Sequence, residues 1–233
     1  TEGQSWNSNP FKLVNKRNRL YGRGTCDMKS FVAISLDLVS KININNLKKP
    51  IHLIFSYDEE IGCVGIQKIV PFIKKLNPKP MYCIVGEPTG MKVVNEHKGK
   101  KNFLVQFNGV EAHSSLIHNG VNSINFCTEF IEFLKDLQKS ISTSSKNSKY
   151  NPPYSTINVG LIKGGIALNI IPKYCEIEFE IRDTPEINIE KILKKIKNYL
   201  KLLEKKMKKI NKKCFITMKN TNDFPPLKTD EKK

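Results

Sequence analysis

The chain has 233 residues, 39% of them hydrophobic and 26% charged, a balance that fits an ordinary folded protein and excludes a disordered or fibrous one. No apolar stretch approaches the roughly 18 residues needed to span a membrane, and Thr1-Glu2-Gly3-Gln4 has neither part of a secretory leader, so a cytoplasmic location is expected. The net charge of +17 raises nucleic acid as a partner, but the excess is nearly all Lys and much of it lies between Lys191 and Lys213, where a solvated helix face accounts for it better.

In chain order, Thr1–Lys16 is polar and irregular, with a turn at Asn9-Pro10. After Arg19-Leu20-Tyr21-Gly22-Arg23-Gly24 and Thr25-Cys26-Asp27-Met28-Lys29, the spacing of Phe31, Ile34, Leu38 and Ile42 predicts an amphipathic helix. Asp27 then stands just before or in the first turn, where capping a backbone N–H is its plain structural use, worth about 1 kcal/mol. The run Ile51–Tyr57 reads as a buried strand that ends in Asp58-Glu59-Glu60, with His52 a core histidine inside it. Acids at the C-terminal end of a strand lie where an open α/β sheet keeps its ligand site, and three together call for a cation. The competing use is a charged turn capping a helix over 63–75. Met81–Val85 reads as a second buried strand, ending in Gly86-Glu87-Pro88, where glycine permits a sharp turn and proline holds Glu87 extended. Three acidic stations at strand ends and helix starts fit a hard or borderline cation better than three unrelated turns.

Beyond Lys92 the pattern changes. Segments 93–107 and 155–162 read as strands, and Glu176–Arg182 alternates strictly, with Ile177, Phe179 and Ile181 on one face. A helix carries Ile124, Cys127, Ile131 and Leu134 on one side. A lysine-rich helix over 188–210 carries Ile189, Ile192, Ile196, Leu200, Leu203, Met207 and Ile210. Two helices on one face of a four-stranded antiparallel sheet make an α+β sandwich, expected over roughly 96–220. Ser140–Pro153, rich in Ser, Asn, Lys and Pro, is expected to be a mobile loop within it. Six scattered cysteines without a CxxC pair are expected as free thiols.

The runs Leu20–Lys29, Ser56–Cys63 and Ile84–Thr89 together resemble the two-zinc aminoacylase and metallopeptidase family. His97-Lys98-Gly99-Lys100, Gly109–Ser115 with Gly120-Val121-Asn122, and Gly164–Pro172 extend the resemblance through most of the chain, in the branch that deacetylates amino acids. The resemblance implies an α/β fold: part of a mixed-sheet zinc-peptidase catalytic domain with an inserted α+β, ferredoxin-like dimerisation or lid domain. Residues 1–95 would be the catalytic part, 96–220 the insert, and 221–233 the start of the return. It further implies two Zn2+ ions, for which Co2+ can substitute, an N-acetylated amino acid as the small-molecule partner, and a homodimer through the insert, with no nucleic acid or membrane involved.

Carried over by position, Asp27 would bridge the two ions, and Glu60 and Glu87 would each bind one. Glu59 would be the general base that takes a proton from a metal-bound water. His113, from a second subunit, would face the developing oxyanion, and Asn169 and Arg182 would contact substrate. Each has a plainer use: His113 could order the loop at Ser114-Ser115, Asn169 could be a turn residue, and Arg182 could pair with Glu178 or Glu180. His97 and His118 read as surface or packing residues. The family's pattern also has a His-x-Asp motif that would precede Thr1 and a metal-binding His that would follow Lys233. The expectation is therefore a piece of a longer enzyme, inactive by itself. A desuccinylase or dipeptidase of the same family, a non-catalytic remnant that only dimerises, and a basic nucleic-acid binder are the competing functions.

Overall fold

The computed structural model describes residues 3–144 and 149–229. They form two units, one up to Val94 and one from Asn95 onward, and each is considered by itself.

In the first unit, β1 (Val14–Lys16) and β2 (Arg19–Tyr21) form a hairpin where an irregular segment was expected. Arg17 and Asn18 between them both have positive φ, 52° and 58°, the mirror-image turn that suits the strands' twist. A single wide turn over Thr25–Lys29 leads into α1 (Ser30–Lys41), and α2 spans Val64–Ile73, shorter than the expected 63–75.

The two buried strands expected at 51–57 and 81–85 are not formed. Neither segment pairs in a ladder, and both are exposed: Phe55 is 52% and Tyr82 82% accessible. His52 is exposed as well, not a core histidine. A β-branched and aromatic run becomes a buried strand only where a neighbouring strand satisfies its backbone groups, and no strand among the described residues pairs with either run.

In the second unit, β3 (Lys100–Asn108), α3 (Ser123–Ser144), β4 (Thr156–Gly164), β5 (Tyr174–Arg182), α4 (Ile189–Ile210) and β6 (Phe215–Phe224) follow one another. All pairs are antiparallel, in the order β4-β5-β3-β6, which is the split βαβ arrangement of a ferredoxin-like sandwich. The first strand starts at Lys100 rather than 93. Residues 95–99 instead form a lead-in that pairs with the exit segment through His97 and Leu227.

Alternation sets the core. Phe103, Val105 and Phe107 of β3 face the same side as Cys175, Ile177, Phe179 and Ile181 of β5, and all are buried. Phe130 of α3 lies 5.9 Å from both Phe107 and Phe179, so it forms the centre of a helix face that the four expected positions only bracket. Ile192, Ile196, Leu200, Leu203 and Met207 of α4 close the core, and the lysines take the opposite face. Asn122 Oδ1 accepts from the Ile124 and Asn125 amides and Asn188 Oδ1 from that of Lys191, giving both helices N-caps.

Part of the expected mobile loop is ordered. Ser140–Ser144 belong to α3, residues 149–153 are held by contacts given below, and 145–148 lie outside the described residues. Cys127 and Cys175 meet between α3 and β5, where their mutual hydrogen bond and burial push the Cys127 thiol up; none of the six cysteines is in a disulfide.

Candidate active site

Asp27 sits in the turn before α1 with an extended backbone (φ −121°, ψ 96°), two residues short of the helix's N-cap position. That position is Lys29 and no side chain caps the helix, so the capping role is not what Asp27 does. It lines an open cleft of about 410 Å³ with Leu20–Cys26, Trp6 and Glu60.

Glu59 and Glu60 lie in a tightly wound turn. Asp58, Gly62 and Cys63 have positive φ of 55°, 110° and 57°, and the carbonyls of Asp58 and Glu59 accept from the amides of residues 62–64. Main-chain carbonyls thus satisfy the start of α2, whose N-cap position, Cys63, provides no side-chain cap. The carboxylates point elsewhere, and that of Glu59 accepts from the Cys63 thiol at 3.7 Å. Gly65 permits this geometry: a Cβ there would stand 2.3 Å from the Tyr57 carbonyl oxygen.

Glu87 arrives by close approach. Gly86 keeps a negative φ, and a Cβ on it would fall 2.3 Å from the Phe31 ring and 2.6 Å from the Met28 side chain. Glycine is needed there to bring the 84–89 segment against the start of α1, not to make a sharp turn. Burial pushes the Glu87 pKa up, and the charges of Asp27, Glu59 and Glu60 push it further. Three separate stretches of sequence therefore bring four carboxyl groups within electrostatic reach of one another.

Among the described residues no three His, Cys, Asp or Glu side chains are arranged to hold a metal ion. The chemistry of the donor set nonetheless suits one. Four carboxyl groups that repel, with no capping duty and one of them driven toward protonation, are what a divalent cation would relieve.

The remaining candidates lie in the second unit. His113 bridges to Ile170, and the Ser114 amide donates to the Asn169 carbonyl, so His113 and Asn169 share one loop pair. His113 Nδ1 lies 2.8 Å from the Ser115 hydroxyl and 3.2 Å from the Ser115 amide, so both polar groups of Ser115 hold that face of the ring. His113 does order its loop, as the plainer use had it. Arg182 is at the far end of β5, roughly 26 Å of strand away, and donates through Nε to Glu180 at 3.3 Å. The fold thus joins His113 with Asn169 and separates both from Arg182.

Neither Trp6 nor Arg23 has an expected role from the sequence. The Arg23 guanidinium stacks 4.9 Å from the Trp6 ring centroid, walling the cleft beside Asp27 and Glu60. The lone tryptophan in an otherwise polar segment was the available signal.

Residues 95–208 match the family described as Peptidase dimerisation domain. The second unit is such a domain. Over 203 residues the chain is 36% identical to an acetylornithine deacetylase of Buchnera aphidicola subsp. Acyrthosiphon pisum (strain Tuc7), covering 87% of this chain and 52% of that protein. It is 35% identical over 184 residues to the acetylornithine deacetylase of Pasteurella multocida (strain Pm70), covering 79% and 47%. A tripeptidase from Staphylococcus aureus subsp. aureus Mu50 shares the fold with a TM-score of 0.61 at 21% identity, over 95% of this chain and 56% of that one. The chain spans about half the length of the curated relatives it matches. That tripeptidase match extends the similarity in fold beyond the dimerisation domain into the acid-bearing unit. Relatives of this kind are hydrolases, and no helix among the described residues is long and apolar enough to cross a membrane.

Proposed function

We propose that the protein carrying this chain is a metal-dependent amide hydrolase that converts N2-acetyl-L-ornithine and water to L-ornithine and acetate, as part of arginine biosynthesis. The observation that carries the proposal is the gathering of Asp27, Glu59, Glu60 and Glu87, all free of capping duties, around the raised pKa of Glu87. The choice of substrate rests on the names of the relatives.

Asp27, Glu60 and Glu87 would hold two zinc ions, with Asp27 shared and Glu60 and Glu87 each binding one. Zinc held there would polarise the scissile carbonyl and make water acidic enough to attack near neutral pH. Glu59, adjacent to a ligand but not itself one, would take the proton from the attacking water and return it to the departing amine nitrogen. The His113 Nε2–H would donate to the oxygen that gains charge when the carbonyl carbon becomes tetrahedral. Arg182 would hold the substrate carboxylate through two parallel hydrogen bonds, and Asn169 would orient the acyl-amino group.

One copy of the sheet presents His113 and Asn169 at one end and Arg182 at the other. A site that uses all three would therefore take His113 and Asn169 from a second copy, which is a function a dimerisation domain suits.

The test is release of ornithine from N-acetylornithine by the protein that carries this chain, before and after chelation and after Zn2+ is restored. Hydrolysis that disappears with chelator, returns with Zn2+ and is lost in Glu59→Gln supports the proposal. Hydrolysis of N-succinyl substrates in preference to acetyl ones would move the protein to a desuccinylase, and no metal-dependent hydrolysis would reject the enzyme reading.

A further inference from the structure

One firmly held cation of the second unit, Lys98, has no expected role. Lys98 Nζ donates to the carbonyls of Pro152 at 2.8 Å and Tyr154 at 2.7 Å, and lies 5.8 Å from the Tyr150 ring centroid. Burial pulls its pKa down, yet the two carbonyls and the ring compensate an ammonium that has no carboxylate partner among the described residues. The same loop is tied a second time: Tyr150 donates to Glu96 at 3.0 Å and Lys149 pairs with Glu96 at 3.4 Å. Beside Glu96, burial and the hydrogen bond push the Tyr150 pKa up to about 12, so it stays a donor.

The loop leads directly to the strand end that bears Arg182. Ser155, 1% exposed, accepts from the Thr184 amide at 2.9 Å and faces the Thr184 hydroxyl at 3.3 Å. Thr156 is the ladder partner of Arg182. On the other side, Gly99 and Asp183 exchange both main-chain hydrogen bonds. Arg182 is thus bracketed by Thr156, Asp183 and Thr184, and each of these is anchored to residues 98–99 or to the loop that Lys98 grips.

We propose that Lys98 is a positioning residue for Arg182: by clamping residues 150–155 onto the lead-in strand, it fixes the strand end from which the guanidinium reaches an α-carboxylate substrate. This rests on the substrate role proposed for Arg182. The step is one of geometry, since no proton or bond changes hands at Lys98 and, among the described residues, the ammonium donates to main-chain carbonyls.

The test pairs Lys98→Met, which keeps length and removes the donors, with Lys98→Arg, which keeps donors, and with Ser155→Ala, which cuts the link to Thr184 while leaving Lys98 in place. Amide exchange at Thr156, Asp183 and Thr184 is expected to quicken about tenfold in Lys98→Met while Val105 and Ile177 stay unchanged. In the protein carrying this chain, KM for N-acetylornithine is expected to rise about tenfold in Lys98→Met and in Ser155→Ala, with kcat within about twofold of the parent and Lys98→Arg largely restored. A loss of folded protein alone would lower the apparent kcat and leave KM where it was. Arg182→Ala separates the two layers: if KM does not rise there, the role of Arg182 fails and the positioning proposal fails with it. If Arg182→Ala raises KM and neither Lys98→Met nor Ser155→Ala does, only the positioning proposal is overturned. A raised KM in Lys98→Met without faster exchange at Thr184 would also overturn it, because Lys98 would then be touching substrate itself. Should Lys98→Met not fold, Ser155→Ala decides.

Discussion

The two units differ in what holds them. The dimerisation domain buries a continuous set of aromatic and aliphatic side chains between one sheet and two helices, and Asn122 and Asn188 cap its helices. The acid-bearing unit has two short helices with scarcely a buried side chain, and it exposes Phe55, Tyr82, Ile84 and Val85. In the dimerisation domain β3 finds its ladder partners β5 and β6 within the described residues although both are distant in sequence, and the alternation of each strand then sets the core. A strand of the kind read at 51–57 depends on ladders to partners distant in sequence. The residues assigned to chemistry follow the same division: carboxylates in the loosely buried unit, and the donors His113, Asn169 and Arg182 on the rigid one.

The sharpest test of that contrast is a pair of aromatic truncations. Phe107→Ala, at a fully buried position beside Phe130, is expected to cost about 3–5 kcal/mol of unfolding free energy in urea melts. Phe55→Ala, at a position 52% exposed, is expected to change it by less than about 0.5 kcal/mol. Equal costs would mean that the apolar run at 51–57 is packed in solution.

A second test addresses the carboxylates. Replacing Glu87 by Gln removes a proposed ligand whose pKa is raised by burial and then by the charges of its neighbours. Affinity for Co2+, followed by visible absorption of the protein carrying this chain, is expected to fall by more than the roughly 10–100-fold that an outer-shell partner carries. An unchanged titration would remove Glu87 from the set.

The smallest effect concerns pH. Asp183 is 1% exposed with Oδ1 unpartnered, and burial pushes its pKa up against the opposing pull of Lys101, while Asp223 adds to the rise. A carboxyl whose pKa is raised by folding holds its proton more tightly in the folded chain. Its contribution to stability is therefore full below the ordinary aspartate range and is lost as pH rises through the raised value. Asp183→Asn is expected to flatten that fall in urea midpoints measured from pH 3 to 7 (about 1 kcal/mol or less). A fall of the same size in the variant would assign it to another group.

These elements also show what a sequence can and cannot disclose. The alternation in Glu176–Arg182 and the helical spacing of Ile192, Ile196, Leu200 and Leu203 are dictated by which face meets the core, so β5 and α4 were legible. Phe130 was passed over because four neighbouring positions already satisfied the period. The hairpin at 14–21 escaped notice because Arg17-Asn18 lacks the glycine that usually marks a mirror-image turn. The acids at 27, 59, 60 and 87 stood out by type and position, but not the reason Gly86 precedes Glu87. A positive φ leaves a trace in turn composition, whereas a 2.3 Å approach to Phe31 depends on a residue 55 positions away. Nor could spacing reveal that Arg182 lies a full strand from His113, since that follows from the register of β5.

The separation of Arg182 from His113 and Asn169 leads to the most direct measurement. Glu59→Gln and His113→Ala versions of the protein carrying this chain are each prepared inactive, mixed, allowed to exchange subunits, and assayed for release of ornithine. In a two-fold dimer with shared sites, half the dimers are mixed and each mixed dimer has one intact site, so hydrolysis should recover to about a quarter of the parent rate. A mixture that stays inactive although mixed dimers have formed would show that His113 does not serve the site of a second copy, and the two-subunit arrangement would be wrong.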